Sequence, residues 1–306
     1  MSSGEKKLIA VVGATGSQGG GVVQALKARG TFAVRAITRK PEGYRADAEE
    51  VVAADLTRPE TLAGAFRGAY GAFLVTNFWE KSAVSERDQA RAAVAAAKEA
   101  GVQHLIWSTL PDVHAITGGA LHVPHFTDKA AVDADVAAAG FAYHTFVEAP
   151  FYFQNLIGAL APLPQPDGSK AWTLPLDPAR RCLHVGDITE LGRVVAGAFE
   201  RPAEVGQGAH LAEAAGLVCF DDLLATLREQ GHRLGYNRVP AEIFATFFPG
   251  ADELAAMFQF FEQHTYFGPN AEEKIALGQQ IAGAPFTSFA DWARHSMPAT
   301  SGPPVL

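Results

Sequence analysis

Three glycines recur at every third position, Gly13, Gly16 and Gly19, directly after the apolar run Leu8–Val12. Bare backbone in that pattern suits the close approach of a phosphate. Gly13 permits a sharp turn out of a strand, Gly16 leaves room for a pyrophosphate, and Gly19 lets the following helix pack on the strand. Thr15, Ser17 and Gln18 lie between and beside them, where the first N–H groups of a helix and its dipole would face the anion. Roughly twenty residues beyond such a loop, a site for NAD usually places Asp or Glu on the ribose 2′-OH. This chain has Thr38, Arg39 and Lys40 there. A carboxylate would repel a 2′-phosphate, whereas a guanidinium grips one with paired hydrogen bonds. The pattern points to NADP(H), the alternative being two solvated cations at a strand end.

Those residues need elements to hold them. Leu8–Val12 is β-branched and apolar, the pattern of a strand buried on both faces. From Ser17 or Gln18 to Ala28 the spacing turns helical, Gly30 ends that helix, and Phe32 to Ile37 reads as a second buried strand. Together they form a dinucleotide-binding βαβ unit. Strands at 50–54, 69–75, 104–107 and 143–147 then alternate with helices at 59–66, 85–100 and 124–139. The alternation predicts an α/β fold, a Rossmann-type doubly wound parallel sheet.

After Ala149 the rhythm breaks. The expected division is a Rossmann domain over residues 1–155, with 182–200 returning to it as a strand in the main sheet and a helix. Residues 156–181 and 201–306 are expected to form a smaller, mostly helical domain for substrate or partner. Its helices fall at 220–229, 241–248, 252–264 and 288–295, with a strand at 208–213. The tail 297–306 is rich in Pro, Ser and Gly, and is expected to be ordered poorly or only by docking.

Composition narrows the class. Of 306 residues, 48 % are hydrophobic and 19 % charged, ordinary for a globular protein, and the net charge is −8. With no basic stripe, that balance argues against nucleic acid as a partner. Cys182 and Cys219 have neither metal-ligand spacing nor a disulfide framework and fit a reducing, cytoplasmic setting. His104, His114 and His122 also lack ligand partners at useful spacing, so no metal site is expected. No apolar run reaches membrane-spanning length, and residues 1–6 lack the apolar segment of a secretion signal.

Ligands of open parallel sheets bind beyond the carboxyl ends of the strands. That rule selects the glycine loop, Arg39 with Lys40, Asp55 with Leu56, Thr76 to Trp79 with Asn77 and Phe78, Ser108, and the segment Glu148 to Asn155. Phe244, Phe247, Phe248, Met257, Phe258 and Phe261 supply either a roof for the nicotinamide end or the core of the smaller domain. Trp79, Ser108, Phe248 and Met257 are the substrate-pocket candidates.

The segments GATGSQGG, ITRK, VTNFWE, HFTDK, FYFQN and FPGADELAAMFQFF together resemble the NmrA-like family, an atypical branch of the short-chain dehydrogenase/reductase superfamily. The likeness covers nearly the whole chain and is nearest to the NADPH-sensing branch. It implies NADP(H) held by the glycine loop, Arg39, Thr76 and Asn77, Lys129, and the stretch Tyr152, Phe153, Gln154 and Asn155. Catalytic members of the superfamily carry Tyr-x-x-x-Lys, in which the phenol passes a proton. Here His125 takes the tyrosine's place, one helical turn before Lys129.

If Pro124 opens a helix, His125 lies in its first turn, where the dipole and the Lys129 ammonium both disfavour an imidazolium. The expectation is a neutral ring that donates one hydrogen bond. Three roles stay open: His125 as proton carrier, His125 as a structural neighbour of the ribose, and Lys129 as general acid, as in the related isoflavone-reductase-like enzymes. Two functions follow. One is an NADPH-dependent reductase of a small carbonyl, quinone or imine, with Lys129 and His125 as catalytic candidates. The other is a non-catalytic NADPH/NADP sensor that regulates a protein partner, its cleft closing or a homodimer forming with nucleotide state.

Overall fold

The computed structural model describes residues 6–80 and 82–298, so the expectations for residues 1–5 and for the tail at 299–306 lie outside the described residues. Strands β1 (Leu8–Val12), β2 (Ala33–Thr38), β3 (Glu50–Ala53), β4 (Gly71–Leu74), β5 (His104–Thr109) and β6 (Tyr143–Glu148) share one sheet with Gln207–Ala212. Across the sheet the order is Gln207–Ala212, β6, β5, β4, β1, β2, β3, with every pairing parallel. The winding direction reverses between β1 and β4, which opens a crevice at their carboxyl ends.

Helices cover both faces, as a fully parallel sheet requires. On one face α2 (Leu62–Phe66), α3 (Glu86–Glu99) and α4 (Pro124–Ala138) bury Phe66, Val94 and Val132 against Ala72, Leu105 and Trp107. The alanines Ala90, Ala93 and Ala97 bring α3 close to its neighbours, and Ser85 caps it by accepting from the Asp88 N–H at 3.1 Å. On the other face α1 (Ser17–Arg29) and the helix Leu191–Glu200 bury Val22, Leu26, Val195 and Phe199 against Ile9, Val34 and Phe73. Gly30 ends α1 with φ 66°, its N–H donating to Leu26 O at 3.0 Å.

The strand expected to return to the main sheet does not do so. Leu183–Gly186 pairs parallel with Phe151–Tyr152 and antiparallel with Gly216–Val218, in a separate three-stranded sheet. The edge beside β6 is taken by Gln207–Ala212. The reason lies in the connections. Parallel neighbours need a crossover, usually a helix. Between β6 and Leu183 the chain offers only a 3₁₀ turn and short strands, whereas Leu191–Glu200 precedes Gln207–Ala212. That helix does lie on the main sheet, so the segment 182–200 is divided between two layers.

The remaining residues build a core around Trp172, Phe220, Phe244, Phe258, Phe260 and Phe261, with Phe153 packed at a tilt against both Phe289 and Trp292. One helix there was not anticipated. Ala271–Ala282 opens with Glu272 and Glu273, ends at Gly283, and packs its Gly278 against the backbone of Ala212. Acidic residues in the first turn and a glycine after the last were its available signals. Among the described residues no helix is long and apolar enough to cross a membrane.

Candidate functional site

A cavity of about 890 Å³ runs along the carboxyl ends of the strands and under the C-terminal helices. At one end Gly13 turns out of β1 with φ 67°, and its carbonyl accepts from the Gly16 N–H at 2.8 Å. A Cβ on Gly19 would sit far inside contact distance of Gly13 O, so only glycine lets α1 start this close to β1. The N-cap of α1 is Gly16, and no side chain caps the helix. Its opening N–H groups therefore face the cavity uncapped, as an anion site requires.

Thr15, Ser17 and Gln18 line the same end. Gln18 also ties the floor together. Its side-chain oxygen accepts from Ser108 Oγ at 2.7 Å, and its Nε2 donates to Tyr152 OH at 2.9 Å. Burial pushes the Tyr152 phenol up to about 12. Arg39, at the end of β2, pairs with Glu80 from the loop after β4 and is largely exposed. Asp55 and Leu56 line the cavity nearby. The Asp55 carboxylate holds its own turn, accepting from Thr57 N and Thr57 Oγ1 at 2.9 and 2.8 Å, which lowers its pKa.

Lys129 is more constrained than its motif suggests. Its Nζ donates to Thr76 O and Thr76 Oγ1, both at 2.9 Å, and to Glu86 Oε1 at 2.5 Å. Those three bonds use all three ammonium protons. Burial lowers the Lys129 pKa, while Glu86 acts to raise it. His125 stands second in α4, after Pro124, and is 7 % exposed. The rings of Phe78, Trp79 and Phe126 flank it with centroids at 5.8, 5.0 and 4.9 Å. Its Nδ1 lies 2.6 Å from Glu253 Oε1, and its backbone N–H donates to that oxygen at 2.8 Å. Besides the helix dipole and Lys129, the ring meets an acidic side chain, Glu253, from a distant helix.

Most of the anticipated residues converge on this one cavity. Asn77, Asn155, Phe248 and Met257 line it with those named above, as do Trp79 and Ser108. Two do not. Lys40 lies outside the lining, its backbone N–H donating to Thr38 Oγ1 at 3.3 Å. Phe153 is fully buried, because the register of its segment turns it away from Tyr152 and into the aromatic core. Of the proposed roof, Phe244, Phe258 and Phe261 are core, and Phe247 is exposed but outside the lining. Glu80, Glu86, Glu253 and Tyr266 were missed. Glu253 had one local signal, an acid in the first turn of a predicted helix, but nothing in the chain announces a contact 128 residues away.

Residues 5–293 match the NmrA-like family along nearly the full chain. The chain belongs to the NmrA-like family. A relative from Cladobotryum sp, the NmrA-like family domain-containing oxidoreductase FrzB, is 30 % identical over 295 residues, covering 87 % of this chain and 88 % of its own. Among solved structures, NmrA, a negative transcriptional regulator, in complex with NADP superposes with a TM-score of 0.79 at 25 % identity, over 95 % of both chains. The same regulator in complex with NAD superposes with a TM-score of 0.78 at 25 % identity, again over 95 % of both. An NADPH-dependent quinone oxidoreductase from Escherichia coli shares the fold at 19 % identity, with a TM-score of 0.74 over 94 % of this chain and 99 % of its own.

Proposed function

We propose that this NmrA-like protein is an NADP(H)-dependent oxidoreductase acting on a small carbonyl, quinone or imine compound. The observation that carries the reading is continuity. One cavity joins an uncapped helix start at Gly16, a guanidinium at Arg39, and a chamber walled by Phe78, Trp79, Phe248, Leu254 and Met257. The uncapped N–H groups of α1 suit the pyrophosphate, and Arg39 suits a 2′-phosphate if it exchanges Glu80 for the ligand. When bound, the dinucleotide supplies hydride. The chain holds it, keeps the chamber apolar, and presents His125 and Lys129 to whatever lies beside it. The oxidoreductase designation of relatives such as the Cladobotryum protein supports the reading.

The test is the loss of reduced-nicotinamide absorbance against a panel of aldehydes, ketones, quinones and imines. Turnover of one class above the protein-free rate is expected, and no turnover of any class would overturn the reading. A second reading, a non-catalytic nucleotide sensor with a protein partner, draws on two observations: all three Lys129 protons are committed within the protein, and His125 stands where the motif has tyrosine. It gains if NADPH and NADP⁺ bind with different affinities and shift the oligomeric state without turnover.

A further inference from the structure

The chamber end of the cavity holds several ionisable or hydroxyl groups that could release a proton, and most are bonded within the protein or held far above neutrality. Lys129 spends its three protons on Thr76 and Glu86. Ser108 donates to Gln18, and burial holds the phenols of Tyr152 and Tyr266 far above neutrality. His125 is the exception. Its Nδ1 and backbone N–H both converge on one Glu253 oxygen, and a carboxylate only accepts. The proton must therefore sit on Nδ1. Nε2 has no protein partner among the described residues, and the ring lines the cavity. The aromatic rings of Phe78, Trp79 and Phe126 restrict the imidazole's rotation.

We propose that Glu253 is a positioning residue that locks His125 in its Nδ1–H form, and that His125 Nε2 delivers the proton when a ketone or aldehyde oxygen is reduced in this chamber. The inference rests on the reductase reading above and names its substrate class. Carbonyl reduction needs two deliveries: hydride, supplied by a reduced nicotinamide, to the carbon, and a proton to the oxygen as the C=O π bond breaks. The imidazolium gives up its Nε2 proton, becomes neutral, keeps Nδ1–H on Glu253, and is reprotonated from water. A preformed iminium takes hydride at carbon and needs no proton at nitrogen. The two acceptor classes therefore depend differently on this pair.

The experiment has two arms. The first needs no nucleotide: ¹⁵N spectra of histidine-labelled protein report the tautomer of the neutral ring. Wild type should show Nδ1–H at His125, Glu253→Ala should shift it to Nε2–H, and Glu253→Gln, whose amide oxygen still accepts, should retain Nδ1–H. Nε2–H in the wild type, or no change in Glu253→Ala, overturns the positioning role. The second arm compares an aldehyde or ketone with a preformed iminium. His125→Ala should lose carbonyl turnover about 100-fold, and Glu253→Ala about tenfold or more, each at least tenfold beyond its loss on the iminium. Dissociation constants for NADPH within about threefold of wild type would show that the fold survives. Equal losses on both acceptors overturn the proton-donor role. Wild type that reduces only the iminium overturns it while sparing the reductase reading, and wild type that reduces neither overturns both.

Discussion

At the scale of single residues, Arg39 and Glu80 form the adjustable contact of the site. Both are largely exposed, so their pairing is screened and easily exchanged for a phosphate. Arg39→Ala is expected to weaken NADPH by about tenfold or more while changing NADH little. Glu80→Ala, which removes a competing anion, should tighten NADPH by roughly two- to fivefold. Calorimetric titration with both nucleotides decides it, and equal losses for NADH and NADPH in the Arg39 variant would refute the 2′-phosphate contact. Lys129 carries a different expectation. Lys129→Met leaves the Glu86 carboxylate buried without its cation, which should cost about 3–5 kcal/mol in urea unfolding, and Lys129→Met with Glu86→Gln should recover part of it. Full stability in the single variant would contradict the buried pair. Lost activity in a lysine variant is therefore not evidence for a proton donor unless stability is measured beside it.

At the scale of elements, backbone contact decides how closely the helices approach. A Cβ on Gly21 of α1 would press into the carbonyl of Thr189, and one on Gly192 into the backbone of Gly21. Gly21→Ala should cost about 1–3 kcal/mol by overpacking. Gly64→Ala in α2 meets nothing within 4 Å and should stabilise by roughly 0.5–1 kcal/mol through helix propensity. Denaturation midpoints showing the same sign for both would refute this packing. The strands β1, β2, β4 and β5 were legible because a strand buried on both faces writes itself as a largely apolar run, as Ile9 to Val12 does, whereas β3, mostly exposed at the sheet edge, was legible from its β-branched Val51 and Val52. Leu183–Gly186 and Gln207–Ala212 were both read as strands, yet their partners were not legible, since period and propensity carry no record of which edge is free. Ala271–Ala282 went unread because its apolar face is short and interrupted by Gly278, the residue that lets it touch Ala212.

At the scale of the whole molecule, Glu213 links the fold to pH. It is fully buried where Gln207–Ala212 ends, beside Gly186, and neither carboxyl oxygen has a partner among the described residues. Burial raises its pKa well above 4.5, with Glu190 and Asp187 adding to the effect. The folded state thus keeps a proton that the unfolded chain releases above pH 4.5. Its contribution to stability falls as pH rises through that window, by about 1.4 kcal/mol per pH unit until the folded pKa is reached. His104, pushed down to about 3 by burial, and His184, pushed down to about 4, act in the opposite direction below neutrality. The comparison with Glu213→Gln isolates the carboxyl. The variant should gain stability relative to wild type between pH 5 and pH 8 in urea titrations, and a pH-independent difference would refute the assignment.

The amino-acid sequence by itself determined the βαβ start, the glycine turn, the parallel sheet and the cation at the end of β2. Each depends on short-range sterics and on periodicity, which neighbouring residues express without help from the rest of the chain. The tertiary structure alone decided that Lys129 is committed to Glu86 and Thr76, that Phe153 is core, and that Glu253 reaches back to His125. These are meetings of side chains far apart in the chain, and hydrogen-bond partners are set by where packed elements come to rest.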